Sequence, residues 1–138
     1  MLRNSAKFAS EFCATIHKKF TMRHLKKKGK LVADKGHNTA LIRNLAMSVI
    51  IYEKIKTTEA KARIVKPFVE NLIDIAKKRE KREAIRQIES LLQHTNSSRK
   101  IFEVFADKYK DKNSGYLRVV KLGYRSGDNA PVVQIEFV

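Results

Sequence analysis

Apolar residues recur every three or four positions from residue 41 to 109 and then begin to alternate, a switch from helical to strand periodicity. Leu41, Ile42, Leu45, Val49 and Tyr52 form the stripe of a first helix, whose start is placed near Asn38 or Thr39 because either side chain can accept the free N–H groups of a first turn. Ile55 to Thr57 reads as a short strand, with Thr57 and Thr58 as its stop and the cap of the next helix. That second helix, 59–78, buries Val65, Phe68, Val69, Leu72 and Ile73. Pro67 lies inside it, removing one N–H and crowding the carbonyl of Arg63; because the apolar period continues past it, a kink is predicted in preference to a break.

Lys77 to Glu83 reads as a charged connector. Ala84, Ile85, Ile88, Leu91 and Leu92 mark a third helix, Asn96-Ser97-Ser98 a turn and cap, and Ile101, Phe102, Phe105 and Tyr109 a fourth helix. After the turn cluster Asp111–Gly115, the stretches Tyr116–Leu122 and Val132–Phe137 are rich in β-formers, joined by a long loop from Gly123 to Pro131. The class is therefore α+β: a helical cluster packed on a small mixed sheet, made of the two C-terminal strands and the Ile55 strand.

Charge changes the picture at the N-terminus. Residues 22–30, Met-Arg-His-Leu-Lys-Lys-Lys-Gly-Lys, hold five cations and one histidine with no acid. A core cannot absorb such a run, because unpaired buried charge costs several kcal/mol or more. It belongs in water or against a polyanion. The whole chain agrees, with 30 Lys and Arg against 14 Asp and Glu in 138 residues, a formal charge of +16. Self-repulsion at that density destabilises a compact chain, and nucleic acid is the densest anionic partner available to relieve it.

Three segments follow: an N-terminal extension 1–21, a basic extended arm 22–36, and one globular α+β domain 37–138. In the extension, Phe8, Phe12, Ile16 and Phe20 recur every four residues among basic and small ones, with Glu11 the only acid. That is the pattern of a mitochondrial targeting segment; a structural amphipathic helix and a translated stretch upstream of a start at Met22 are its rivals. A mitochondrial address would follow from the first of these more readily than a bacterial cytoplasm.

Other chemistries find little support. Cys13 is the only cysteine, so neither an internal disulfide nor a thiolate metal cluster can form, and His17, His24, His37 and His94 share no ligand spacing. No apolar stretch approaches the ~20 residues needed to span a bilayer. There is no Walker loop, G-x-G-x-x-G, G-x-S-x-G or H-E-x-x-H. Glu53, Glu59, Glu70 and Glu103 sit on or beside cationic helix faces, which suits ion pairing better than general-base work. No cofactor, metal or small-molecule substrate is expected, and no enzyme activity. A free-standing regulator would need two short helices and a tight turn with the second basic and exposed, which no pair fits well; a small RNA-acting enzyme would need a clustered acid or nucleophile set.

Several motifs, in order and at matching spacing, resemble those of the bacterial-type large-subunit ribosomal protein L17 family. They are Met22-Arg23-His24 with the Lys run, Arg43-Asn44-Leu45, Ile55-Lys56-Thr57-Thr58-Glu59-Ala60-Lys61-Ala62-Arg63, then Glu70, Leu72, Ile73, Ala76 and Lys77, and Gly115-Tyr116 to Gly123, Arg125-Ser126-Gly127-Asp128 and Ala130-Pro131 to Glu136-Phe137-Val138. The resemblance covers nearly all of 22–138. It implies a structural protein of the large ribosomal subunit whose partners are large-subunit rRNA and neighbouring large-subunit proteins, with no membrane contact in the mature state. Asn38 and Asp74 depart from the family pattern, the second read as drift on a helix surface, and the extension 1–21 is foreign to the typical bacterial protein. On these grounds the expected RNA-binding set is Arg23, His24, Lys26, Lys27, Lys28, Lys30, His37, Arg43, Lys61, Arg63, Tyr124 and Arg125. Asp128 is expected to stabilise its turn.

Overall fold

A computed structural model describes residue 31 and residues 34–138. Four helical stretches pack on one face of a three-stranded sheet, in the order α1 (Lys35–Tyr52), β1 (Lys54–Thr58), α2 (Glu59–Lys78), α3 (Lys81–Leu92), α4 (Thr95–Lys100), a π-helical segment (Ile101–Phe105), α5 (Ala106–Lys108), β2 (Leu117–Tyr124) and β3 (Pro131–Phe137). The expected α+β arrangement stands. Within it the sheet is antiparallel throughout, not mixed, in the order β1-β3-β2. The β2–β3 hairpin fixes one pairing, and β1 enters on the far side of β3 running opposite to it.

Helix α2 is the centre of the packing. Ala62, Val65, Val69, Leu72 and Ile73 are buried along it, and they meet α1 and α3 on one side and the sheet on the other. Phe68, expected among them, is half-buried at the margin of the core. Helical bounds run unbroken from 59 to 78 through the exposed Pro67, so the carbonyl it leaves behind faces the solvent side. Thr58 is the N-cap residue as expected, although its hydroxyl makes no capping bond.

Other boundaries move for identifiable reasons. Helix α1 starts at Lys35 instead of Asn38 because Asp34 caps it, accepting from the Gly36 N–H at 3.4 Å; the last two residues of the expected arm are thus helical. Its buried face is Ala46, Val49 and Ile50, while Tyr52 is 71% exposed. At about 100° per residue Tyr52 falls well to one side of that face, and the chain turns just after it at Glu53, in left-handed conformation at φ 61°. The charged connector shrinks to Arg79 and Glu80, because both flanking helices extend into it.

Asn96-Ser97-Ser98 is helical, not a turn. The His94 ring caps α4, its Nδ1 accepting from the Ser97 N–H at 3.2 Å, and the Ser98 hydroxyl bonds the His94 carbonyl at 3.0 Å. Both serines are buried with those bonds made. In the π-helical segment the Ala106 N–H reaches back five residues to the Ile101 carbonyl. A repeat of four overshoots an α-turn of 3.6 residues, and one wider turn takes back part of the drift. Ile101, Phe105 and Tyr109 therefore all stay buried, and the Phe105 and Phe137 rings stack at 4.2 Å.

Asp74 is not surface drift. It is half-buried, accepts from the Tyr116 hydroxyl at 2.8 Å and from Lys78 Nζ at 3.0 Å, and so ties α2 to the start of β2. Lys77 donates to the Lys112 carbonyl and to the Tyr116 oxygen. Burial and the bond to Asp74 push the Tyr116 hydroxyl up to about 12. Burial pushes the Asp74 carboxyl upward too, but the Tyr116 hydroxyl and the ammonium groups of Lys78 and Lys77 outweigh it and hold the group below its usual range.

Two outcomes follow for stability. Leu72→Ala should cost about 2–5 kcal/mol in a chemical or thermal melt, and Phe68→Ala distinctly less, since only Leu72 is wholly enclosed; equal losses would contradict the packing. Tyr116→Phe should cost about 1 kcal/mol near neutral pH by removing the hydroxyl from Asp74. Because Tyr116 holds its proton more tightly folded than unfolded, the hydroxyl's contribution is whole below pH 10.0 and lost as the pH rises through about 12. The stability gap between wild type and Tyr116→Phe should therefore narrow across that window.

Candidate nucleic-acid interface

Strand register gathers distant parts of the sequence at one end of the sheet. Thr58 pairs with Val132, Gly123 also meets Val132, and Tyr124 pairs with Pro131. The first turns of α2 therefore emerge beside the β2–β3 loop, and Glu59, Lys121, Tyr124 and Pro131 line one shallow recess there. Lys61, Arg63, Tyr124 and Arg125, expected to bind RNA from two separate stretches, are brought to this same end. Arg63, Tyr124 and Arg125 are exposed, Tyr124 to 73%, and Lys61 is half-exposed.

The loop itself is built to stand away from the sheet. A bulge between Lys121 and Gly123 offsets the ladder, and Gly123 sits at φ 128°, a conformation that a side chain would strain. Asp128 then fixes the turn, as expected: it accepts from the Ala130 N–H at 3.2 Å and from Arg125 Nε at 3.0 Å, and a second guanidinium nitrogen pairs with its other oxygen. The Arg125 guanidinium and the Ala130 N–H hold the Asp128 carboxyl down at about 2. Arg125 is thus oriented by its partner and keeps the remaining edge of its guanidinium open to solvent. Arg63 is held more loosely by Glu59, one helical turn back, at 2.9 Å.

His37 and Arg43 lie elsewhere, on α1. His37 is exposed in the first turns of that helix. Arg43 is half-buried and occupied: Nε donates to the Leu91 carbonyl and Nη1 to Gln93 Oε1, each at 2.9 Å, which fastens α1 to the end of α3. Asn38 donates to the Leu31 carbonyl at 3.2 Å. Arg23, His24, Lys26, Lys27, Lys28 and Lys30 lie outside the described residues, as does the 1–21 extension.

The sheet adds cations that the motif reading passed over. Its outer face, away from the helices, presents Lys54 and Lys56 from β1 and Arg118 from β2, while Glu136 of β3 sits between two of them, 3.9 Å from Lys54 and 2.6 Å from Arg118. Lys121 is exposed near the loop. Alternation was the available signal: once Ile55 and Leu117 point to the core, the residues beside them point away. The expected pairing of acids holds for Glu53 with Lys100 at 2.7 Å and Glu59 with Arg63, whereas Glu70 and Glu103 make no ion pair among the described residues.

Among the described residues no three His, Cys, Asp or Glu side chains gather to hold a metal ion, and no helix is long and apolar enough to cross a membrane. A family model described as ribosomal protein L17 matches residues 41–138. The chain is 42% identical over 117 residues to the large ribosomal subunit protein bL17 of Allorhizobium ampelinum, an overlap of 85% of this chain and 82% of that one. It is also 42% identical over 120 residues to the proteins of the same name from Hyphomonas neptunium and Rhodopseudomonas palustris, covering 85% of this chain and 83% and 85% of theirs. The sequence motifs, the α+β fold and these matches agree: the chain belongs to the ribosomal protein L17 family, structural and non-enzymatic proteins of the large ribosomal subunit.

Proposed function

We propose that the chain binds large-subunit rRNA through two kinds of contact, the basic arm 22–36 and the cationic end of the sheet, and sits there among neighbouring large-subunit proteins. The convergence of Lys61, Arg63, Tyr124 and Arg125 at one exposed end, from stretches some sixty residues apart in sequence, is the observation that carries this reading. Arg and Lys neutralise phosphates, Arg bidentately, and an exposed Tyr offers a face to an unstacked base. Arg43 serves the fold first, since its guanidinium joins two helices. In the arm, a run of five cations without an acid suits a segment that tracks along a phosphate backbone.

The arm makes the sharpest test. Replacing Lys26, Lys27, Lys28 and Lys30 together by Gln should lower the slope of log affinity against log salt by roughly three to four units on transcribed large-subunit rRNA, treating duplex RNA like B-DNA. Folding should hardly change. An unchanged salt titration would refute the arm's role.

A mitochondrial address is a separate proposal, resting on the Phe8–Phe12–Ile16–Phe20 face and the near absence of acids in 1–21. The relatives compared are all bacterial and lend it no support. Residues 1–21 fused to a soluble reporter in a eukaryotic cell should direct it to mitochondria; a diffuse cytosolic signal would defeat the proposal and leave the ribosomal assignment intact.

A further inference from the structure

Eight arginines fall among the described residues, and their partners divide them. Arg63, Arg118 and Arg125 each bond a carboxylate, and Arg43 bonds a carbonyl and an amide. The side chains of Arg79, Arg82, Arg86 and Arg99 make no hydrogen bond or ion pair to other described residues. Three of those four stand within eight residues, at the corner where α2 hands over to α3, and all three are exposed.

Helix geometry puts Arg82 and Arg86 on a common outward face. Ala84, Ile88 and Leu92 turn inward from α3 and are at most 1% exposed. Arg82 and Arg86 lie on the opposite side of the helix, one turn apart, about 6 Å along the axis. Arg79 stands in the two-residue connector just before, after the last turn of α2. The other cations of the corner are otherwise engaged: Lys77 points inward to Tyr116, Lys78 pairs with Asp74, and Lys81 lines a separate cleft between α3 and α4 with Glu89 and Arg99.

Acids are near enough to pair with these arginines and do not. Glu83 is three residues before Arg86 and Glu89 three after it, spacings at which pairs form within α3. No ion pair joins them among the described residues, unlike Glu59 with Arg63 on α2. A guanidinium left without a protein partner keeps its whole fork of donors free for a phosphate.

We propose that Arg79, Arg82 and Arg86 form a third phosphate-backbone contact for RNA, separate in the sequence from both the arm and the sheet-end cluster. The proposal rests on the rRNA-binding reading above and adds to it a surface on the α2–α3 corner. Such a site grips backbone without reading bases, so it fixes how the globular domain lies on its RNA instead of selecting a sequence. The arm, the sheet end and the corner then hold the chain at three points, and the loss of one leaves the others.

The test uses the full chain and transcribed large-subunit rRNA, with affinity measured from 0.05 to 0.5 M salt. Arg79→Gln, Arg82→Gln and Arg86→Gln combined should lower the salt slope by about two to three units and weaken binding on the order of tenfold near 0.1 M salt. The melting curve should stay close to wild type, since all three side chains are exposed. A charge-matched control, Lys66→Gln, Lys108→Gln and Lys110→Gln combined, should change the slope distinctly less. Equal slopes for the two triple variants, or a corner variant that binds like wild type, would overturn the corner site while the arm's effect stands. A wild-type chain that fails to bind the rRNA at all would instead overturn the rRNA-binding reading itself.

Discussion

Between residues 34 and 138 the sequence has 21 Lys and Arg against 13 Asp and Glu, and nineteen buried apolar side chains must hold them together against their mutual repulsion. Ion pairing relieves only part of that load. Seven pairs engage six of the acids, most of them at the surface, where water and salt screen an ion pair and leave it little to add. Of the cations outside those pairs, Lys61 and Lys121 stand at the sheet end, Lys56 on the outer sheet face, and Arg79, Arg82 and Arg86 at the α2–α3 corner. Everything else in the fold follows from keeping the core closed while that charge stays outside.

Helix α2 does this by lying between the sheet and the other helices, so that one stripe of small and branched side chains serves both layers. The polar ties around it fasten the pieces the core alone leaves loose. Asp74 and Lys77 hold Tyr116 where the chain enters β2, and Lys100 bonds the Ile51 carbonyl and pairs with Glu53 at the turn between α1 and β1. The Lys100 ammonium beside Glu53 holds that carboxyl below its usual range against the small effect of burial. Near the C-terminus the Tyr109 hydroxyl donates to the Val138 carbonyl at 3.0 Å, and Phe137 stacks on Phe105, so the last strand is anchored at its very end.

Much of this was legible in the sequence because it depends on period. The bounds of α2, the three strands and the paired threonines ahead of α2 follow from where apolar residues recur and where β-formers cluster. What was not legible depends on single side chains that act across space. His94 caps α4 with a ring nitrogen, and nothing in Asn96-Ser97-Ser98 reveals that such a cap turns three turn-formers into helix and buries the two serines. Asp74 reads as a surface substitution until Tyr116, forty-two residues later, is seen to bond it. For the candidate interface, motifs pointed to Lys61, Arg63, Tyr124 and Arg125, but only strand register shows that they share one end of the sheet. Arg43 carried the same motif signal and joins two helices instead.

That a small core is held against excess positive charge, which an anionic partner relieves, is tested most directly by the thermal stability of the free chain as a function of monovalent salt. Screening shortens the reach of repulsion from ~10 Å at 0.1 M to ~3 Å at 1 M, while leaving apolar burial nearly untouched. Melting in sodium chloride from 0.05 to 0.5 M should therefore move to higher temperature as salt is added. A melting temperature that falls would mean that the ion pairs outweigh the repulsion, and would contradict the account.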